Sequence, residues 1–212
     1  MAEVDAEDLE LSRQAAIAFL ERFRSRDWHA AIPDLTWDCE RTLQHLINTQ
    51  VYLAMQIALP TETPLPYPRG PAAASGLSVE HMLLELTATS AVLSAVIKGS
   101  DPMAPAFYGG DRTDRSGVAA VACDELLIHS WDIGRGFGET FEPPQQLAKR
   151  VTGRLFPWAP ADGDAWSALL WSNGRIERGD RPRLGPDWSR WLAPIADWDG
   201  PVSGGSGSGL PR

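Results

Sequence analysis

Four long stretches of this chain repeat apolar residues at helical spacing, and no stretch alternates them as a strand would. That pattern narrows the fold to all-α, a four-helix bundle in which each helix hides its stripe against its neighbours. The first stretch runs from about Asp8 to Arg24, with a broad stripe of Leu9, Leu11, Ala15, Ile17, Ala18, Leu20 and Phe23. The second follows Thr36, an N-cap candidate, has Asp38 and Glu40 at its positive start, and stops before Pro60. Ser78 opens the third, and Gly99 ends it. The fourth begins near Ser116 and reaches Gly134 or Gly136. Residues 60–77 and 100–115 read as loops, the second turning at Gly109-Gly110.

Beyond Gly138 the periodicity weakens. A helix from about Pro144 to Leu155, a short one around Asp164 to Ser172 and a turn near Asp187 to Leu192 are expected. Five of the nine tryptophans fall between positions 158 and 191, which suits an irregular segment pinned by aromatic anchors. The expected organisation is a bundle over residues 1–140, a helical and irregular extension packed on it over 141–200, and a Gly/Ser-rich tail at 201–212. The tail has the composition of a flexible linker, native or added in cloning.

At 212 residues the chain suits one sizeable domain. Its formal net charge of −9 argues against a nucleic-acid partner, which would need a basic face. No apolar run is read as approaching the roughly 20 residues of a membrane span, and the acidic N-terminus lacks the basic start of a secretory signal. Cys39 and Cys123 make no disulfide framework. A cytoplasmic protein is expected, with small molecules as partners and pairing into a homodimer through a helix face.

Chemistry concentrates in Glu125-Leu126-Leu127-Ile128-His129-Ser130-Trp131-Asp132. On a helix, Glu125 and His129 share one face and can close on one divalent metal ion. A carboxylate in apolar company is costly unless it is paired or bound to a cation, although a plain Glu-to-His hydrogen bond would also satisfy both. His45 is the best third ligand among the four histidines, on a stripe with Arg41, Asn48, Thr49 and Tyr52 that otherwise reads as a solvent face. Asp132 either orients a ligand from behind or ends the helix in an ion pair, for example with Arg135. Asn48, Thr49 and Tyr52 are candidates for the pocket mouth. Trp37 and Trp131 read as packing, His29 and His81 as surface, and both cysteines as packed thiols. Arg175, Arg178, Arg181 and Arg183 read either as an anion-binding patch or as a solvated loop.

The segment Trp37-Asp38-Cys39-Glu40-Arg41-Thr42-Leu43-Gln44-His45 resembles the second-helix signature of the DinB-like metalloprotein superfamily. More narrowly it resembles the mycothiol-dependent maleylpyruvate isomerase group of actinobacteria, where a tryptophan precedes the first metal histidine by eight residues. Glu125 to Asp132 matches that group's Glu-x-x-x-His-x-Trp-Asp pattern, and Leu169 to Arg175 is similar to the C-terminal portion of small metal-binding actinobacterial members. The resemblance spans roughly residues 8–192.

It implies that His45, Glu125 and His129 hold a divalent metal, zinc by default, with nickel, manganese or iron as alternatives. It further implies a low-molecular-weight thiol, such as mycothiol, as co-substrate. The thiol is activated at the metal and attacks an electrophilic small molecule, by isomerisation if it leaves again or by S-transfer if it stays. The alternative is a metal-binding or recruited biosynthetic protein that uses the same pocket without thiol chemistry, as hydrolase, lyase or ligand binder. The larger isomerases carry a further C-terminal domain, for which this chain is too short, so the metal-centred scaffold carries over better than the isomerase activity.

Overall fold

The computed structural model describes residues 3–67 and 77–200; the 201–212 tail lies outside them. Six α-helices carry most of the described chain, with one two-stranded sheet. They are α1 (Ala6–Leu20), α2 (Cys39–Ala58), α3 (Val79–Gly99), α4 (Arg115–Gly136), α5 (Gln145–Leu155) and α6 (Ala165–Ser172). A 3-10 turn, Glu21–Phe23, extends α1, and a second, Ile195–Asp197, lies near the end of the described residues. The expected loop between α3 and α4 instead contains a hairpin, β1 (Ala106–Tyr108) against β2 (Asp111–Thr113). Three-residue strands are too short for alternation to reveal. The Gly109-Gly110 turn was legible, and its φ values of 61° and 97° are those a tight hairpin turn requires.

Helix starts are set by side chains that accept orphan backbone N–H groups. Asp5 and Asp8 form a capping box on α1, and Ser78 caps α3 as expected. On α2 the cap is Asp38, which accepts from the Arg41 N–H at 2.8 Å, rather than Thr36. Asp38 itself is extended, and the next two N–H groups, of Cys39 and Glu40, donate back to the carbonyls of Ala30 and Trp28. On α4 the cap is Asp114, which accepts from the Gly117 N–H at 2.7 Å, and Ser116 lies inside the helix. Ser116 Oγ accepts instead from the Val4 N–H, at 3.1 Å.

Helices α1 and α2 each pack against both α3 and α4, and α5 packs against α4 and α6. The core therefore centres on α4, whose residues from Ser116 to Ile128 are all buried. A helix apolar all round is a buried helix, and Ala119, Ala120 and Ala122 let neighbours approach closely. Gly134 shows how tight this is: a Cβ there would stand 2.9 Å from both Phe19 and the Glu139 carbonyl oxygen.

Contrary to the sequence reading, α3 is by length and composition apolar enough to cross a membrane. Met82, Leu83, Leu86, Leu93 and Ile97 bury one of its faces, while Leu84 and Val92 remain exposed.

The C-terminal segment is fastened to this frame. Arg154 on α5, 2 % exposed, donates to the carbonyls of Trp191 and Leu192 and to Asp114. The Trp191 N–H donates to the Leu155 carbonyl at 2.7 Å. Residue 190 is thereby delivered to α4.

Candidate metal centre

Burying α4 on every side forces any polar group in its middle to find a partner within the protein. Glu125, 3 % exposed, finds four. Its Oε2 lies 2.9 Å from His45 Nε2 on α2 and 3.1 Å from His129 Nε2 one turn along α4. Its Oε1 accepts from the Tyr108 hydroxyl at 2.8 Å and from Arg190 at 2.9 Å. The two imidazoles stand nearly perpendicular, 5.0 Å between centroids. Two ring nitrogens and a carboxylate oxygen thus lie within 4.8 Å of one another, a group able to hold a metal ion.

A layer of carboxylates and arginines supports this group. Asp132, fully buried, places Oδ2 3.0 Å from His129 Nδ1 and accepts a fork from Arg175. It therefore sits behind a candidate ligand; Arg135 pairs with Asp34 instead. Asp124, also fully buried, accepts from Arg190 at 2.9 and 2.7 Å and from Asn173 at 2.8 Å.

The charge states follow. Burial pushes the Glu125 carboxyl up, but Arg190 and the two imidazoles outweigh it and hold it well below its usual range. Burial also opposes the His129 imidazolium, yet Asp132 and Glu125 lift its pKa to about 9 in the ion-free protein. Asp132 is held low because His129 and Arg175 overcome its burial. For Asp124 burial wins over Arg190, and its pKa is raised. Burial beside Glu125 drives the Tyr108 phenol well up, so it stays a donor.

Above His45, Glu125 and His129 opens a cleft of about 600 Å³, lined further by Trp37, Tyr108, Trp188 and the 183–186 loop. That volume falls in the range of small-molecule sites. Trp37, read as packing, both packs on the His45 ring at 5.2 Å and faces the cleft. Asn48, Thr49 and Tyr52, expected at the mouth, do not line this cleft. Thr49 and Tyr52 are buried and both contact Tyr67, the first within hydrogen-bond distance of its hydroxyl and the second ring to ring. Of the arginines read either as a patch or as a solvated loop, Arg175 holds the buried Asp132 and Arg178 is buried against Asp162, whereas Arg181 and Arg183 lie in a more exposed loop beside Asp162 and Asp34. His29 and His81 are exposed. Cys39 and Cys123 are free and buried.

Tyr108, Asp124 and Arg190 were missed. Asp124 carried a signal, a second acid beside Glu125 in an apolar helix. Arg190 carried none, since a lone arginine among tryptophans has no periodicity to mark it.

Fold and site together define a class: a helical protein with two imidazoles and a carboxylate gathered at the base of a cleft. The family model for the mycothiol maleylpyruvate isomerase N-terminal domain matches residues 9–134, over half of the chain, and the chain belongs to that DinB-like family. All three candidate ligands fall inside the match. Comparison with curated proteins and with solved structures finds no match.

Proposed function

We propose that this protein is a metal-dependent enzyme of the isomerase or thiol S-transferase type, using a low-molecular-weight thiol such as mycothiol against an electrophilic small molecule. One observation carries the reading: His45, Glu125 and His129 converge at the base of an open cleft, within the part of the chain that belongs to the family.

The donor set fits a divalent metal, zinc by default. Two neutral imidazoles and one carboxylate are a familiar open-site set, and a ligating histidine commonly turns its other nitrogen to a carboxylate, as His129 does to Asp132. A divalent ion held there would supply Lewis acidity that lowers the pKa of a bound thiol. The chain's own residues do the rest. Arg190 and Tyr108 keep Glu125 ionised and fixed, Asp132 aims the His129 ring, and Arg175 holds Asp132 in place. Trp37, Leu184 and Trp188 keep the cleft's walls apolar. On this reading the four long helices, within residues 1–140, form a DinB-like bundle, and the 141–200 extension closes the site. The partners are the thiol and its electrophile, with no nucleic acid or membrane, in a cytoplasmic homodimer.

Metal analysis of protein purified without a polyhistidine tag tests the reading, followed by thermal shift with mycothiol. About one equivalent of divalent ion, lost in Glu125→Gln and His129→Ala, together with stabilisation by the thiol, is expected. Metal-free protein indifferent to thiols would overturn it. Metal-loaded protein that ignores thiols but hydrolyses a substrate would favour water-based chemistry in the same pocket.

A further inference from the structure

We infer that the electrophile taken by this cleft is uncharged and apolar, and that the charge pairing around it rejects dicarboxylates. The inference rests on the proposed thiol chemistry for its reaction but not for its binding preference.

Three arginines line the cleft, Arg175, Arg183 and Arg190. An ion at the base could anchor one carboxylate of a dicarboxylate; the second would need such cations as its anchor. Each already carries an internal carboxylate. Arg175 forks onto Asp132 and Arg190 onto Asp124 and Glu125, all three acids at most 3 % exposed. Drawing either arginine towards a ligand would leave a buried carboxylate without its cation, which is strongly unfavourable. Arg183 is the most exposed of the three, and it stands 3.6 Å from Asp34 with its Nε on the Gly174 carbonyl. Asp34, 60 % exposed in its side chain, and Asp111 both line the cleft and would repel an approaching anion. Most of the remaining side chains on the wall are apolar or aromatic, Leu35, Trp37, Tyr108, Leu184, Pro186 and Trp188 among them, and the polar ones, Thr36, Thr42 and Ser189, are uncharged.

A matched pair of probes isolates charge. Maleate and its dimethyl ester share one electrophilic cis-alkene, and only the acid is a dianion at neutral pH. In the ester, thiolate sulfur bonds to one alkene carbon and the π pair moves towards the far ester carbonyl. The carbon–carbon bond rotates, the pair returns, and the carbon–sulfur bond breaks to give dimethyl fumarate and the same thiolate. No oxidant or reductant is consumed.

Binding of each probe to the zinc-supplemented full chain is measured by ligand-observed NMR, and ester isomerisation is followed with mycothiol. The ester is expected to bind at least about tenfold more tightly, a difference of roughly 1.4 kcal/mol. Asp34→Asn frees Arg183 from its partner and removes a rim charge, and asparagine tolerates the left-handed backbone (φ 64°) at this position. That variant is expected to bind maleate several-fold more tightly and the ester unchanged. Maleate binding as tightly as the ester, or no binding of either, would overturn the inference. Preferential ester binding with no isomerisation under any thiol would uphold the charge selectivity while removing the thiol reading.

Discussion

Glu125 divides its two oxygens between two tasks. Oε2 faces both imidazoles, and Oε1 is occupied by Tyr108 and Arg190. The carboxylate is thus fixed from behind and offers one oxygen forwards. Asp132 does the same for His129. Asp132→Asn keeps the shape but loses the charge that aims the ring, and divalent-ion affinity is expected to fall about 10–100-fold, measured by competition with a chelating dye. Tyr108→Phe removes one donor from a buried carboxylate, and urea denaturation should show about 1–3 kcal/mol of lost stability. The thiols make the contrasting case. Burial pushes the Cys39 pKa up to about 12 and Cys123 higher still, so neither is thiolate at neutral pH. A thiol-specific disulfide reagent should label neither in the native protein and both in denaturant; labelling of the native fold would contradict their burial.

Among the elements, α4 sets the terms, since it supplies Asp124, Glu125, His129 and Asp132 while being packed on by α1, α2 and α5. Gly134→Ala would push a Cβ against Phe19 and the Glu139 carbonyl. A destabilisation of about 1–3 kcal/mol, as for other overpacked cores, is expected in thermal or denaturant unfolding. This helix was also the most legible element. Its apolar residues around Glu125 and His129 announced a buried acid, and the i,i+4 spacing announced the pairing. The second helix was legible in extent and in His45. Its cap was not, because the choice between Thr36 and Asp38 depends on where Ala30 and Trp28 place their carbonyls. Asn48, Thr49 and Tyr52 lie outside the lining of this cleft, and a polar stripe on a helix does not say which neighbour covers it. The hairpin was too short to show a period, and with it Tyr108 stayed hidden.

Over the whole molecule, residues 173–192 behave as part of the site. Asn173, Arg175 and Arg190 together satisfy three buried α4 carboxylates, and Arg154 fastens the segment by its backbone. A chain cut after Ser172 would leave Asp124 without its cation and Glu125 and Asp132 with His129 but no arginine, a loss of several kcal/mol. It is expected to lose cooperative unfolding and to recover no ion binding, as monitored by circular dichroism melts and metal content. A truncated chain that melts cooperatively and still takes up zinc would show that the segment is dispensable.

These arginines lie outside residues 9–134, the part that matches the family, whereas the imidazoles and the acid between them lie within it. One wall of the cleft and the arginines that hold these acids thus come from a different stretch of chain than the three candidate ligands themselves.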